Sequence, residues 1–230
     1  MWNIDLTLVD VARVSRDAYA EAFRRVTGRP LVALPQLAGR SDSEIFYESL
    51  ALNEALPGVS QPEDNDLLAR YSTELAAAFG ARHDLLVKNG RVLPGAHEAL
   101  AALARQPNVI QTVLTGTIKR NAVEKLRAFG LETYLDLGIG GFGSDVYPRG
   151  TQILRSITLA AEKYRVQITP ATAVYVADSI RDVAAAKVAG IRCVGVASGR
   201  STVIELRGAG ADPVLDDLSH TGRVVAAIDR

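Results

Sequence analysis

One cysteine, one tryptophan, one methionine and three histidines are all that 230 residues contain of these types, and each scarcity removes a class of protein. A single thiol, Cys193, cannot form an intrachain disulfide, so the chain is no disulfide-stapled scaffold and suits a reducing compartment. Cys193 sits in the apolar run Ile191-Arg192-Cys193-Val194-Gly195-Val196, where it reads as core filling rather than a reactive thiol. His83, His97 and His220 each lie in or beside a helix-patterned stretch and read as surface or capping groups, none of them catalytic. An excess of charge is missing too. Lys plus Arg (26) balances Asp plus Glu (26), and the charges are dispersed, which leaves no basic stripe for nucleic acid or for an anionic membrane. No apolar run has the length of a membrane span, and the start lacks the basic and apolar regions of a signal peptide, so a cytoplasmic location is expected. What is present is a 48% hydrophobic composition, enough for one substantial core and a smaller appended domain. A small molecule is the expected partner, and oligomeric state is not readable from these features.

Short β-branched runs alternate with helix-patterned segments through the second half, the pattern of a parallel sheet wrapped by helices. Strands are expected at 109–114, 173–177, 191–196 and 213–215, with a brief first one at 2–5. Helices are expected at 96–105, 119–129, 150–164 and 181–189. Residues 14–90 differ, because their apolar positions recur at helical spacing without a β-branched run. They are expected to form an all-helical insert with helices at 15–26, 42–56 and 63–81, broken by Pro35, Pro57-Gly58 and Pro62. The fold class is therefore α/β: residues 1–13 and 91–230 form a doubly wound parallel-sheet core, and 14–90 form a helical cap. Such a cap would sit over the carboxyl ends of the strands, where open α/β sheets bind ligands.

Three segments carry candidate chemistry. In Asn3-Ile4-Asp5, positions two apart point the same way, so Asn3 and Asp5 can face one ligand while Ile4 enters the core. For an isolated Asn-x-Asp, a polar strand end making turn hydrogen bonds is the simpler reading. Val174-Tyr175-Val176-Ala177 runs into Asp178 and Asp182, two carboxylates four residues apart at a helix start. One could be an N-cap; both, beside Asp5, make an oxygen-rich site of the kind Mg²⁺ prefers. In Val113-Leu114-Thr115-Gly116-Thr117 a buried strand delivers a hydroxyl and a glycine just ahead of a helix, where backbone N–H groups can receive a phosphate. Arg149, after Tyr147-Pro148, is placed to offset phosphate charge, with a surface salt bridge as the competing role.

Taken in chain order, these segments resemble the four motifs of the haloacid dehalogenase (HAD) superfamily. The first motif, Asp-x-Asp-Gly-Thr-Leu, is matched by Asn3-Ile4-Asp5-Leu6-Thr7-Leu8, with Asn for the first Asp and Leu6 for the Gly. The second, a Thr or Ser at a strand end, is matched by Thr115, and the third, a Lys or Arg before a helix, by Arg149. The fourth, Gly-Asp-Ser-x-x-Asp, is matched by Ala177-Asp178-Ser179-Ile180-Arg181-Asp182. Leu93-Pro94-Gly95 resembles the way such chains leave the cap. The insert at the first cap site (C1 type), with Gly39-Arg40-Ser41-Asp42 in it, is similar to those of phosphoglycolate phosphatases and β-phosphoglucomutases.

The resemblance implies a Mg²⁺-dependent phosphatase acting on a small phosphorylated metabolite through an aspartyl phosphate. It makes Asn3 the nucleophile position, Asp5 the general acid and base, and Asn3, Asp5, Asp178 and Asp182 the metal set. Thr115, Gly116 and Arg149 would hold the phosphoryl oxygens, and Arg40 could reach the organic part of the substrate, although helix-start charge beside Asp42 also explains it. Asp5 separates the chain from 2-haloacid dehalogenases, which lack this second acid. An amide at position 3 is neutral and a poor nucleophile, so turnover is expected to fail and Mg²⁺ to bind more weakly. Either Asn3 is a variant of an active enzyme's aspartate, which the intact Asp5, Thr115, Asp178 and Asp182 favour, or it is native to a phosphatase-like protein with a binding role or altered chemistry. A dehalogenase or phosphomutase relative is a further alternative. The first strand has only Met1 and Trp2 ahead of Asn3, so a trimmed N-terminus is also expected.

Overall fold

The computed structural model describes residues 1–55, 66–145 and 148–229. Elements are numbered in chain order. Strands β3 (Val174–Ala177), β4 (Arg192–Val196) and β5 (Val214–Leu215) form a parallel sheet in the order β3-β4-β5. The register pairs Val174 with Arg192 and Ala177 with Gly195, and then Gly195 with Val214. Single parallel bridges extend the sheet beyond β3: Trp2 pairs with both Val176 and Val113, and Leu114 with Gly141. The Asn3 N–H donates to the Val176 carbonyl at 2.9 Å, and the Leu114 N–H donates to the Trp2 carbonyl at 2.9 Å. Trp2 and Asn3 thus occupy the middle of the sheet, between the Val113 segment and β3.

The first strand and the one at 109–114 are shorter than expected, since only Trp2, Val113 and Leu114 form these bridges. The reason is local. Gln111 and Thr112 make single backbone bonds in place of a ladder, the Gln111 carbonyl accepting from the Asp136 N–H at 2.8 Å and the Thr112 carbonyl from the Trp2 N–H at 2.9 Å. The Met1 ammonium donates to the Val174 carbonyl at 2.8 Å, and burial lowers its pKa to about 5. A cavity of about 720 Å³ lies at this end of the sheet, lined by Met1, Trp2, Gln111 and Val174 among others, away from the strands' carboxyl ends.

Helices α5 (Ala96–Ala104), α6 (Lys119–Ala128), α7 (Arg149–Tyr164) and α8 (Ile180–Val188) fall within a residue of the expected spans. Each carries apolar side chains at helical spacing, such as Ile153, Ile157 and Ala160 of α7, which pack into the core. Helices α9 (Val203–Ala209) and α10 (Thr221–Ile228) were not anticipated, being short for a periodicity reading.

Between the core segments lie α1 (Ala12–Thr27), α2 (Asp42–Leu52), α3 (Leu67–Gly80) and α4 (His83–Asn89), the helical cap. The chain leaves and re-enters the core side by side, because β1 (Val9–Asp10) pairs antiparallel with β2 (Arg91–Val92). Helices α1 and α3 pack against each other, and Phe46 of α2 stacks on Tyr71 of α3 with centroids 4.0 Å apart. Helix α2 ends at Leu52 rather than 56, because the Asn53 amide turns back to the Ser49 and Ala33 carbonyls at 2.7 Å each. Leu56, the breaks at Pro57-Gly58 and Pro62, and residues 63–65 of the expected third helix lie outside the described residues.

Candidate functional site

The carboxyl ends of the central segments deliver Asn3, Asp5, Thr115 and Asp178 to one cavity of about 70 Å³, which Arg40, Asp42, Gly116, Thr117, Lys125 and Arg149 also line. Ile4 is fully buried, so alternation puts Asn3 and Asp5 on the site side as expected. The turn after them is tight: Leu6 adopts φ +60°, a left-handed conformation that suits glycine far better than leucine.

Asn3 is 6% exposed, and its amide nitrogen donates twice, to the Asp178 Oδ1 at 2.9 Å and to the Asp5 main-chain carbonyl at 3.0 Å. Both neighbours are acceptors, which fixes which end of the amide faces them. Thr7 Oγ1 donates to the same Asp178 oxygen at 2.9 Å. Burial raises the Asp178 pKa to about 7, with the Asp182 charge adding to it and the bonds from Thr7 and Asn3 opposing it. Gly199 packs so closely that a Cβ there would stand 2.0 Å from Asp178 Oδ2.

Asp182 is fully buried and turned away from the cavity. It accepts from the Tyr175 hydroxyl at 3.0 Å, from Ser179 Oγ at 2.6 Å and from the Arg149 guanidinium. Arg149 opens α7 and donates its other nitrogen to the Arg40 carbonyl at 3.3 Å. Burial is the largest single influence and works against its charge, but Asp182, Tyr175 and Glu44 together outweigh it, and its pKa is raised. The Arg40 guanidinium pairs with Glu48.

Lys125, which the motif comparison passes over, is buried on α6 and donates to both Asp5 oxygens at 2.8 and 2.7 Å. Thr117 Oγ1 donates to Asp5 Oδ2 at 2.9 Å. The sequence signal for Lys125 was its place on the stripe Ala122, Lys125, Leu126, whose members all face the core. Asp42 of the cap was also missed. It accepts from the Ile118 N–H at 2.7 Å and the Tyr19 hydroxyl at 2.6 Å, while its own N–H donates to the Gly116 carbonyl at 2.8 Å. Burial raises the pKa of Asp42, and Lys125 works the other way. Thr115 is 1% exposed, and its hydroxyl accepts from the Thr117 N–H at 3.2 Å.

The structure therefore gathers Asn3, Asp5, Thr115, Gly116, Arg40, Arg149 and Asp178 and leaves Asp182 behind them. As arranged, these side chains do not fit Mg²⁺. Asp178 Oδ1 and the Asp5 carbonyl are taken by Asn3, the Asp5 carboxylate by Lys125 and Thr117, and Asp182 by Arg149, Tyr175 and Ser179. Among the described residues no group of three His, Cys, Asp or Glu is placed to hold a metal ion.

The haloacid dehalogenase-like hydrolase family model matches residues 1–187, and a second HAD-hydrolase-like model matches 154–221. A phosphoglycolate phosphatase of Pseudomonas putida is 27% identical over 225 residues, covering 95% of this chain and 76% of that protein. The Dickeya dadantii protein described as "Probable phosphatase IndB" is 30% identical over 224 residues, covering 96% of this chain and 90% of the relative. Among solved structures, a family IA, variant 3 HAD hydrolase from Entamoeba histolytica superposes with a TM-score of 0.70 at 18% identity, covering 100% of this chain and 98% of that one. A hydrolase from Pseudomonas syringae gives 0.66 at 22% identity, covering 99% and 97%. Motif order, a parallel sheet with its site at the strands' carboxyl ends, and these matches agree, and the chain belongs to the haloacid dehalogenase-like hydrolase family.

Proposed function

We propose that the chain carries the site of a small-molecule phosphatase held before its first chemical step because residue 3 is an amide. The observation that carries this reading is the position of Asn3: at the end of the central segment, 2.9 Å from Asp178 and in one cavity with Asp5, Thr115, Lys125 and Arg149. A carboxylate at that point could attack a phosphorus atom; the amide cannot. Asp5 would serve the leaving alcohol and then the water, positioned by Lys125 and Thr117. The Gly116 backbone, Thr115 and Arg149 would meet phosphoryl oxygens. Residues 14–90, as the cap, would close over a compact ester, and the small cavity supports that size.

The Asn3→Asp substitution tests this. It sets a second carboxylate against Asp178, an arrangement that calls for a cation, so Mg²⁺ is expected to be needed for turnover. Phosphoglycolate, named for several relatives, heads the panel of esters, followed by sugar phosphates and nucleotides. Phosphate release by the substituted protein and none by the Asn3 protein is the expected result. No release from any ester by either protein would leave a non-catalytic binding protein as the better reading.

A further inference from the structure

We infer that the Asn3 amide takes the place of a divalent cation, so that this chain assembles its site without metal. The inference rests on the reading of the site as a phosphatase site. The two hydrogens of Asn3 Nδ2 reach a carboxylate oxygen of Asp178 at 2.9 Å and the main-chain carbonyl of Asp5 at 3.0 Å. Two oxygens from different segments, converging on one point, are what a hard cation bridges; here an N–H pair bridges them. The same oxygen of Asp178 also receives the Thr7 hydroxyl at 2.9 Å, which fills it further. The remaining acids of the expected metal set are engaged elsewhere, Asp5 by the Lys125 ammonium and Asp182 by the Arg149 guanidinium.

A cation entering the site would have to break both amide bonds. It would gain only one carboxylate that is not already paired with a cationic side chain, whereas Mg²⁺ holds to near-ideal octahedral geometry and sheds its water reluctantly. The charge count points the same way. An aspartate at position 3 would put two carboxylates on one point and make a cation necessary, and the amide removes that need.

Mn²⁺, read by the paramagnetic resonance of the free ion, reports occupancy without any turnover. The Asn3 protein should leave the free-ion signal undiminished at equimolar and tenfold excess protein, and its melting temperature should be the same in MgCl₂ and in EDTA. The Asn3→Asp protein, purified in Mg²⁺, should deplete the free Mn²⁺ signal at least tenfold more effectively and melt higher with Mg²⁺ than with EDTA. Stoichiometric Mn²⁺ binding by the Asn3 protein, abolished by Asp178→Asn, overturns the inference. Absence of binding by both folded proteins overturns it as well, because the amide would then not be what excludes the ion. If Asn3→Asp does not fold, the unsubstituted protein against Asp178→Asn decides alone. Mn²⁺ binding with no ester hydrolysis by Asn3→Asp would sink the phosphatase reading and leave this inference standing; Mn²⁺ binding by the Asn3 protein with turnover restored by Asn3→Asp would do the reverse.

Discussion

Asparagine and aspartate differ by one heavy atom's identity, yet at position 3 the difference decides the charge of the site. With a neutral amide as its neighbour, Asp178 is buried and meets Thr7, Asn3 and the charge of Asp182, with no cationic side chain bonded to it among the described residues. Its pKa of about 7 lies well above that of an unfolded aspartate, near 3.9. Between those values the folded protein keeps a proton that the unfolded chain has lost. The stability Asp178 contributes is thus fully present below about pH 4 and lost as pH rises through about 7, at a slope of up to about 1.4 kcal/mol per pH unit. Urea midpoints for the unsubstituted protein and Asp178→Asn, measured from pH 5 to pH 8, should converge in shape only if this is wrong. The expected result is a decline toward pH 8 that the asparagine variant does not share. Most of these residues were legible because a motif fixes residue type and order. Lys125 was not, since a lysine on a core-facing stripe declares itself only when its carboxylate partner, 120 positions away, is in view. Leu6 is the converse case, a side chain standing in a left-handed turn where the family pattern has glycine.

Helix α2 shows how an element carries a site residue that no motif reading assigned. Ser41 caps it, accepting from the Glu44 N–H at 3.2 Å while the Glu44 carboxylate accepts from the Ser41 N–H at 2.7 Å. That closed box aims the first turn at the core, and Asp42 lands on the Ile118 N–H just ahead of α6. The Asp42→Ala substitution would leave the Ile118 N–H and the Tyr19 hydroxyl buried without their acceptor, at roughly 2 kcal/mol or more. Ser41→Ala removes only a cap on the helix and should cost about 1 kcal/mol. Denaturant midpoints rank the two, and an Asp42→Ala loss no larger than that of Ser41→Ala would mean that the cap–core bond carries no net stability. The helices α1, α2 and α3 were readable because an amphipathic stripe is a local signal. The strand at 109–114 was over-read because pairing depends on a neighbour that sequence pattern does not reveal; Val113 and Leu114 form bridges, whereas Gln111 and Thr112 make single backbone bonds.

Across the molecule, the parallel sheet and its helical cap followed from alternation and period, whereas the way the cap rests on the core did not, because beside the Asp42 bond it depends on close approaches at glycines, which no side-chain pattern marks. Gly39 lies so close to α8 that a Cβ would stand 2.5 Å from Ser179 Oγ, and a Cβ on Gly116 would stand 1.9 Å from the Arg40 carbonyl. At Gly116 cap and core therefore meet backbone to backbone, across the loop that would receive a phosphoryl group. The Gly116→Ala substitution must push 39–42 off that loop, and its effect should fall on ligand binding more than on folding. At pH 6, where Asp178 is mostly protonated and repels an anion less, inorganic phosphate at about 100 times its Kd should stabilise the unsubstituted protein by about 2.7 kcal/mol, a rise of roughly 5–10 °C in Tm. Gly116→Ala should still melt in one cooperative step but lose that rise. An equal phosphate-induced shift in both proteins would show that the closed approach of Arg40 to Gly116 has no part in holding the anion.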